Sequence, residues 1–298
     1  MVKVLIPSGA LGLGYDRAAL ARGIAQKPDI IAIDGGSTDS GPHYLGTGTS
    51  KYSRNSTKAE WRELMAARAE AGVPLVIGTA GTCGADDAVD WLVEITREIA
   101  AETGESLRLA VLKSGQDNQT MVAALRAGRI TPLPAAPEIS DTLLLECTNI
   151  VALAGAEQIQ EALNTGADII IAGRTTDTAI ISALPLARGC HAGGCWHGAK
   201  IGECGALATT SPNSGTIMIA FDAEGFTMTP MGAEARATPR TVSAHMLYEN
   251  SDPHILYEPG GHLDVRGATY TALNDREVRV TGSEWIVSDR YTVKLEGA

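Results

Sequence analysis

The chain has 298 residues, 44% hydrophobic and 20% charged, a composition that supports one large or two modest cores and argues against a disordered polymer. Its net charge of −11, with no cluster of Lys and Arg to offset it, argues against nucleic acid and anionic membrane surfaces as partners. Aromatic residues are only 4%, so the core must be aliphatic, and 33 glycines imply many tight turns.

Taken in chain order, apolar runs of strand length end in glycine-rich polar loops that lead into helical patterns. "VKVLIPSG" passes through "ALGLG" into "YDRAALARGIAQ", and "IIAIDGG" is the next strand. "VPLVIGTAGTCG" leads into "ADDAVDWLVEITREIAAETG", where Val89, Leu92, Val93 and Ile99 approximate one helical stripe. "RLAVLKSG" and "TMVAALRAGR" follow, then the Pro-rich surface connection "ITPLPAAPEIS". "GAEQIQEALNTGADIIIAGRTTDTAIISALPLARG" reads as helix, turn, strand, loop and helix. Uniformly apolar strands such as "DIIIA" suit a parallel sheet covered on both faces. The expectation is a doubly wound, mostly parallel α/β fold, with a Rossmann-like domain over residues 1–205.

After Cys190 the texture changes. "GTIMIAFDAEGFTMTP", "ATYTALNDREVRVTGSEW" and "DRYTVKLEGA" are short β-like runs separated by turn signals. One helix is expected at "TVSAHMLYEN", capped by Thr241 or Ser243. Residues 206–298 therefore read as a smaller, strand-rich α+β region. The opening "MVKVLIPSG" is strand-like and unlike an export signal, and no apolar stretch reaches membrane-spanning length, so a cytoplasmic protein is expected. Its five cysteines, Cys83, Cys147, Cys190, Cys195 and Cys204, are then expected to be reduced thiols.

In open α/β sheets ligands bind beyond the carboxyl ends of the strands, where strand order reverses. That rule gathers four loops into one rim. "SGALGLGYDR" supplies Ser8, Gly9, Gly12, Gly14, Asp16 and Arg17, and "DGGSTDSG" supplies Asp34, Gly35, Gly36, Ser37, Thr38 and Asp39. "GTAGTCGADD" adds Thr79, Thr82, Cys83 and Asp86, while "GRTTDT" adds Arg174, Thr175, Thr176 and Asp177. Asp34 closes a buried strand, and its glycines permit close backbone approach to a ligand; the plain alternative is that Asp, Gly and Ser merely make a turn. His43, in the long loop after Asp34, is a candidate acid or base, as are His245, His254 and His262.

Gly9, Gly12 and Gly14 are spaced G-x-x-G-x-G, which reverses the dinucleotide fingerprint and argues against NAD or FAD, and no phosphate-loop motif with its Gly-Lys-Ser/Thr ending exists. A coenzyme A thioester remains open, because a glycine-rich loop running into a helix holds phosphates without a fixed spelling. Arg17, Lys113 and Arg174 are the positive charges nearby, a supply that fits a small carboxylate or thioester better than a triphosphate. Cys83, at an expected helix start, would have a lowered thiol pKa and act as a nucleophile, or else be a small packed residue. "GCHAGGCWHGAKIGECG" concentrates Cys190, His191, Cys195, His197, Glu203 and Cys204 without the paired spacings of a zinc finger. Glu203 of that segment joins the substrate-binding set, and a divalent ion on Asp34, Asp39 and Asp177 is a separate reading.

The ordered set "SGALGLGYDRAALARG", "IIAIDGGS", "ADIIIAGRTTDTA", "GECGALATT" and "AHMLYENSDPHILYEPGG" resembles the acyclic terpene utilisation protein A family over nearly the whole chain. The resemblance implies a cytosolic protein of bacterial acid or terpene catabolism, of a kind often accompanied by a small partner protein encoded alongside. Relatives often carry Gly-His ahead of the Glu-Cys-Gly element, where this chain has Ala199 and Lys200, so a histidine role there does not transfer to it. They also continue past "YTVKLEGA", so that either the chain is shortened or another polypeptide completes the last layer. The leading expectation is a lyase, a hydratase or dehydratase of a small carboxylic acid or its acyl-CoA ester. Asp34 or Asp177 and a histidine would serve as acid and base, backbone N–H groups would hold an oxyanion, and Arg17 or Arg174 would clamp a carboxylate. The alternatives are a Cys83-dependent hydrolase or acyl transferase and a non-catalytic ligand-binding subunit of a hetero-oligomer. Self-association is expected in each case.

Overall fold

The alternating runs become a nine-stranded sheet with helices on both faces, in a computed structural model that describes residues 1–134, 136–212 and 215–298. The side chain of Asp39, one of the three carboxylates of the divalent-ion reading, lies outside the described residues. Strand β1 (Val2–Ile6) leads to α1 (Arg17–Ala25), β2 (Ile30–Asp34) to α2 (His43–Thr47) and α3 (Arg54–Ala71), and β3 (Leu75–Gly78) to α4 (Asp86–Thr103). Strand β4 (Leu109–Leu112) precedes α5 (Asn118–Arg126) and α6 (Asp141–Glu146). Next come β5 (Ile150–Ala152), α7 (Ala156–Asn164), β6 (Ile169–Ala172), α8 (Ala179–Ala187) and α9 (Ala192–Gly202). The remainder holds β7 (Ile217–Phe221), β8 (Gly225–Pro230), α10 (Pro239–Ala244), β9 (Ile255–Glu258), β10 (Gly261–Asp264), β11 (Thr269–Ala272), β12 (Val278–Thr281), β13 (Glu284–Val287) and β14 (Leu295–Gly297).

The sheet order is β11-β12-β8-β7-β1-β2-β3-β6-β4. Neighbours among β1, β2, β3, β6 and β4 run parallel, and β7 adds antiparallel to β1, followed by β8, β12 and β11. The strand-rich region thus continues the parallel sheet, and also contributes a three-stranded sheet β13-β10-β9 and the β14 partner of β5.

Alternation along the strands divides the core in two. Val4, Ile6, Ile30, Ala32, Val76 and Ile170 pack on the face covered by α7, α8 and α9, whereas Leu5, Ile31, Ile33, Leu75, Ile77 and Ile171 pack under α1, α3 and α4. Burial on both sides is why these strands are apolar throughout, each Leu, Ile or Val contributing about 1.5–3 kcal/mol. Trp61, wholly buried on α3, satisfies its indole N–H on Thr96 Oγ1 of α4 at 2.8 Å.

Local signals set the helix ends. Asp16 caps α1 by accepting from the N–H groups of Ala18 and Ala19. The helix expected at "TVSAHMLYEN" starts earlier: Thr238 is the cap, exchanging hydrogen bonds with Thr241, and Pro239 takes the first position. A Thr-Pro pair outcompetes Thr241 and Ser243 because proline is pre-set for the first turn and Thr238 meets the Thr241 N–H. No helix among the described residues is long and apolar enough to cross a membrane.

Candidate functional site

Crossovers β1–α1–β2, β2–α3–β3 and β3–α4–β4 place their helices on one face, while β6 returns between β3 and β4 with α7 and α8 on the other. With right-handed crossovers, reversing direction along the sheet moves the helix to the opposite face. The chains leaving β3 and β6, adjacent in the sheet, therefore diverge and open a crevice at their carboxyl ends, the position where α/β sheets bind ligands.

Glycine lets the loops at this point close on one another. Asp34 is registered beside Gly78, and a Cβ on Gly35 would lie 2.2 Å from the Thr79 carbonyl oxygen, one on Gly78 2.2 Å from Thr175 Oγ1. Thr79 is held at φ 53°, a strained conformation for a β-branched residue. Its Oγ1 accepts from Arg174 Nη1 at 3.1 Å, so the loop after β3 is tied to the loop after β6.

Above this floor lies a cleft of about 570 Å³. Ser37, Arg174, Thr175, Thr176 and Asp177 line it from the strand ends. Lys200 and Glu203 line it from the end of α9, Leu256 and Glu258 from β9, and Lys294 from the approach to β14. Four carboxyl groups feel one another here. Burial, then the neighbouring Asp177 carboxylate, pushes Glu203 up to about 8, and the Lys200 contact offsets only part of this. Burial likewise pushes Glu258 up to about 7, against the hydroxyls of Thr178 and Thr176. Asp34 is raised well above the usual carboxylate range by burial and by Asp177, opposed by Arg174 and the Gly36 N–H. Among the described residues, Asp34 Oδ1, Thr175 Oγ1 and Glu258 Oε2 are buried around the cleft without a hydrogen-bond partner.

The positive charges are already engaged. Arg174, buried, meets Glu296 in a fork, Nε to Oε2 at 2.9 Å and Nη2 to Oε1 at 3.2 Å, and its Nη1 lies 3.8 Å from Asp177 Oδ1. Burial alone would raise Glu296, but Arg174 and then Lys294 hold it down at about 2. Thr38 Oγ1 donates to Glu296 Oε2 at 3.0 Å.

The structure thus brings together Asp34, Ser37, Thr38, Thr79, Arg174, Thr175, Thr176, Asp177 and Glu203. Gly35 and Gly36 pack against the Thr79–Thr82 loop, and Gly9 backs onto Cys204, whose thiol feels Asp34 and Glu203. Other candidates stand elsewhere. Ser8 turns back to the Ala10 carbonyl, Gly12 donates its N–H to Glu60, and Gly14 points to open space. Arg17 is exposed, bound to Glu63 of α3, and is not among the residues lining the cleft. His43 is exposed at the start of α2, edge-on to Tyr44. Thr82 receives the Lys51 N–H. Cys83 is fully buried with Leu45, Ala85, Ala88 and Val151, and burial pushes its thiol up, opposite to the lowering expected of a helix start.

Of the histidines, His245 sits behind Glu203, its Nε2 3.0 Å from that carbonyl, and burial lowers it to about 4. His254 is exposed and His262 packs on Tyr257. The Cys190–Cys204 segment disperses on folding: His191 Nδ1 caps α9, Cys195 enters the core, and His197 bonds Ser283 and Tyr270. Among the described residues no three His, Cys, Asp or Glu side chains converge to hold a metal. Glu258 and Glu296 escaped the sequence reading. Glu258 carried a signal of the same kind as Asp34, an acid closing an apolar strand, "ILYE" beside "IIAID".

Fold and cleft together define a doubly wound α/β protein with a carboxyl-rich crevice at its switch point. The chain belongs to the acyclic terpene utilisation family: the family described as acyclic terpene utilisation family protein AtuA matches residues 47–290. The matched span contains Thr79, Arg174, Asp177, Glu203 and Glu258 and leaves Asp34 and Glu296 outside. No curated protein and no solved structure matches the chain.

Proposed function

We propose that the chain is a lyase-type catabolic enzyme, a hydratase or dehydratase of a small carboxylic acid or its acyl-CoA ester, working on skeletons of the acyclic terpene kind that the family name describes. The observation that carries this reading is the convergence of Asp177, Glu203 and Glu258 on one cleft, with Asp34 buried close enough to feel the first two and with Asp34 Oδ1 and Glu258 Oε2 unpartnered. Glu203 and Glu258, pushed up to about 8 and about 7, suit both halves of a proton relay. In the dehydrating direction, Glu258 as carboxylate takes the proton from the carbon next to the carbonyl. Glu203, protonated, delivers its proton to the departing hydroxyl. The C–H and C–O bonds break, the carbon–carbon double bond forms, and water leaves. Leu153, Ile255 and Leu256 give the cleft an apolar wall for a hydrocarbon chain.

Glu258→Gln keeps the shape and removes the base. Turnover with the correct substrate is expected to fall about 10²–10⁴-fold with the fold intact by circular dichroism; undiminished turnover rejects the assignment. A thiol mechanism is disfavoured by the burial of Cys83. A small companion protein and self-association belong to the same proposal through the family resemblance, and copurification with native mass spectrometry tests both.

A further inference from the structure

Arg174 is the most deeply buried cation at the cleft, and the carboxylate that meets it comes from a short strand outside the main sheet. The fork of Arg174 on Glu296, with the Thr38 hydroxyl completing the shell, is the arrangement by which proteins recognise a carboxylate ligand. Strand β14 pairs only with β5, Leu295 to Ala152, Glu296 to Val151 and Gly297 to Ile150, outside the nine-stranded sheet, and Ala298 extends the ladder by exchanging two backbone hydrogen bonds with Asn149. The residues leading to it, 288–294, are all exposed, and their ties to the body include Tyr291 to Glu157 and the Leu153 N–H to the Lys294 carbonyl. A single short ladder reached through a wholly exposed approach is a place for local opening, with Glu296 and Ala298 as its anchors.

Charge gives the segment its meaning. With Glu296 in place, Arg174, Lys200 and Lys294 each contact a carboxylate of this chain, so an anion entering the cleft finds these cations engaged. Replacing Glu296 by a ligand carboxylate leaves the charge at Arg174 unchanged. The Thr38 hydroxyl, which now donates to Glu296 and lies 3.4 Å from Arg174 Nη2, is left to donate to the incoming oxygens.

We propose that Glu296 stands in for a ligand carboxylate, that a small free carboxylic acid binds by exchanging with it at Arg174, and that β14 is a displaceable strap over the site. This rests on the cleft being the substrate site and names the free acid as the form bound.

The test needs no turnover. Thermal unfolding of the wild-type chain and of Glu296→Ala is followed in sodium butyrate, with butyramide and sodium chloride as controls. Butyrate is expected to raise the melting temperature of Glu296→Ala saturably, at concentrations at least tenfold below any that act on the wild type, because no internal carboxylate competes. Butyramide is expected to do nothing, and adding Arg174→Gln to Glu296→Ala to abolish the effect. Equal responses of the two proteins, or none in the variant, overturn the proposal. Should Glu296→Ala not fold, hydrogen exchange in the wild type decides: butyrate must speed exchange at the β14 amides at least tenfold over butyramide, and unchanged exchange overturns it. Butyrate binding as expected alongside full activity of Glu258→Gln would keep this inference while rejecting the lyase assignment.

Discussion

Glu203 and Glu258 illustrate how one environment reassigns a carboxyl group. Each keeps its proton to higher pH folded than unfolded, so between the unfolded value near 4.5 and the folded values of about 8 and about 7 the native state binds more protons. The stability these protons confer is complete below the unfolded value, is lost progressively as pH rises from there, and is gone once pH has passed through the folded values of about 7 and about 8. The melting temperature is expected to fall over that window, and Glu258→Gln to flatten the fall. A mere tenfold difference in proton affinity between the two states is worth about 1.4 kcal/mol, enough to move the midpoint by several degrees. Glu296 works in the opposite sense: held at about 2, it contributes stability that is lost only in acid. Thiols follow burial too. Iodoacetamide with peptide mapping is expected to modify the half-buried Cys147 and Cys190 well before Cys83 and Cys195, and early labelling at Cys83 would contradict its placement.

At the scale of elements, the glycines of the rim bring backbones together, and the site's functional atoms are side chains and threonine hydroxyls. Asp34 was legible because an acid at the end of an all-apolar strand must emerge at the rim, and Arg174 to Asp177 for the same reason after β6. The first glycine loop reads similarly in one dimension, yet Gly12 serves the α1–α3 contact through Glu60. Which side of a strand end a loop turns to depends on the crossover that follows, and spelling does not encode that. Gly35→Ala forces a methyl against the Thr79 carbonyl and is expected to cost about 1–3 kcal/mol in urea unfolding. Gly14→Ala meets nothing and bears only its positive φ, roughly 1 kcal/mol. Equal losses would mean that the tight approach at Gly35 is absent.

Across the whole molecule, the doubly wound sheet followed from the repeated strand-to-helix texture and from strands without polar residues. The return of β6 between β3 and β4 did not, because strand order is a long-range choice that only packing decides. The boundary expected between residues 205 and 206 does not interrupt the sheet, since β7 pairs with β1 over five residues. Peptides containing β3 and β8 are expected to share one denaturant dependence of hydrogen exchange, and two separate dependences would mark two folding units. One pair of rings extends this to spectroscopy. Trp196 of α9 and Trp285 of β13 stack at 4.8 Å and 23°, in a chain with only four indoles. Transition dipoles that close couple, so the pair should print an exciton couplet on the ultraviolet dichroism spectrum, an optical signature of whether the small β-sheet is seated on its helix.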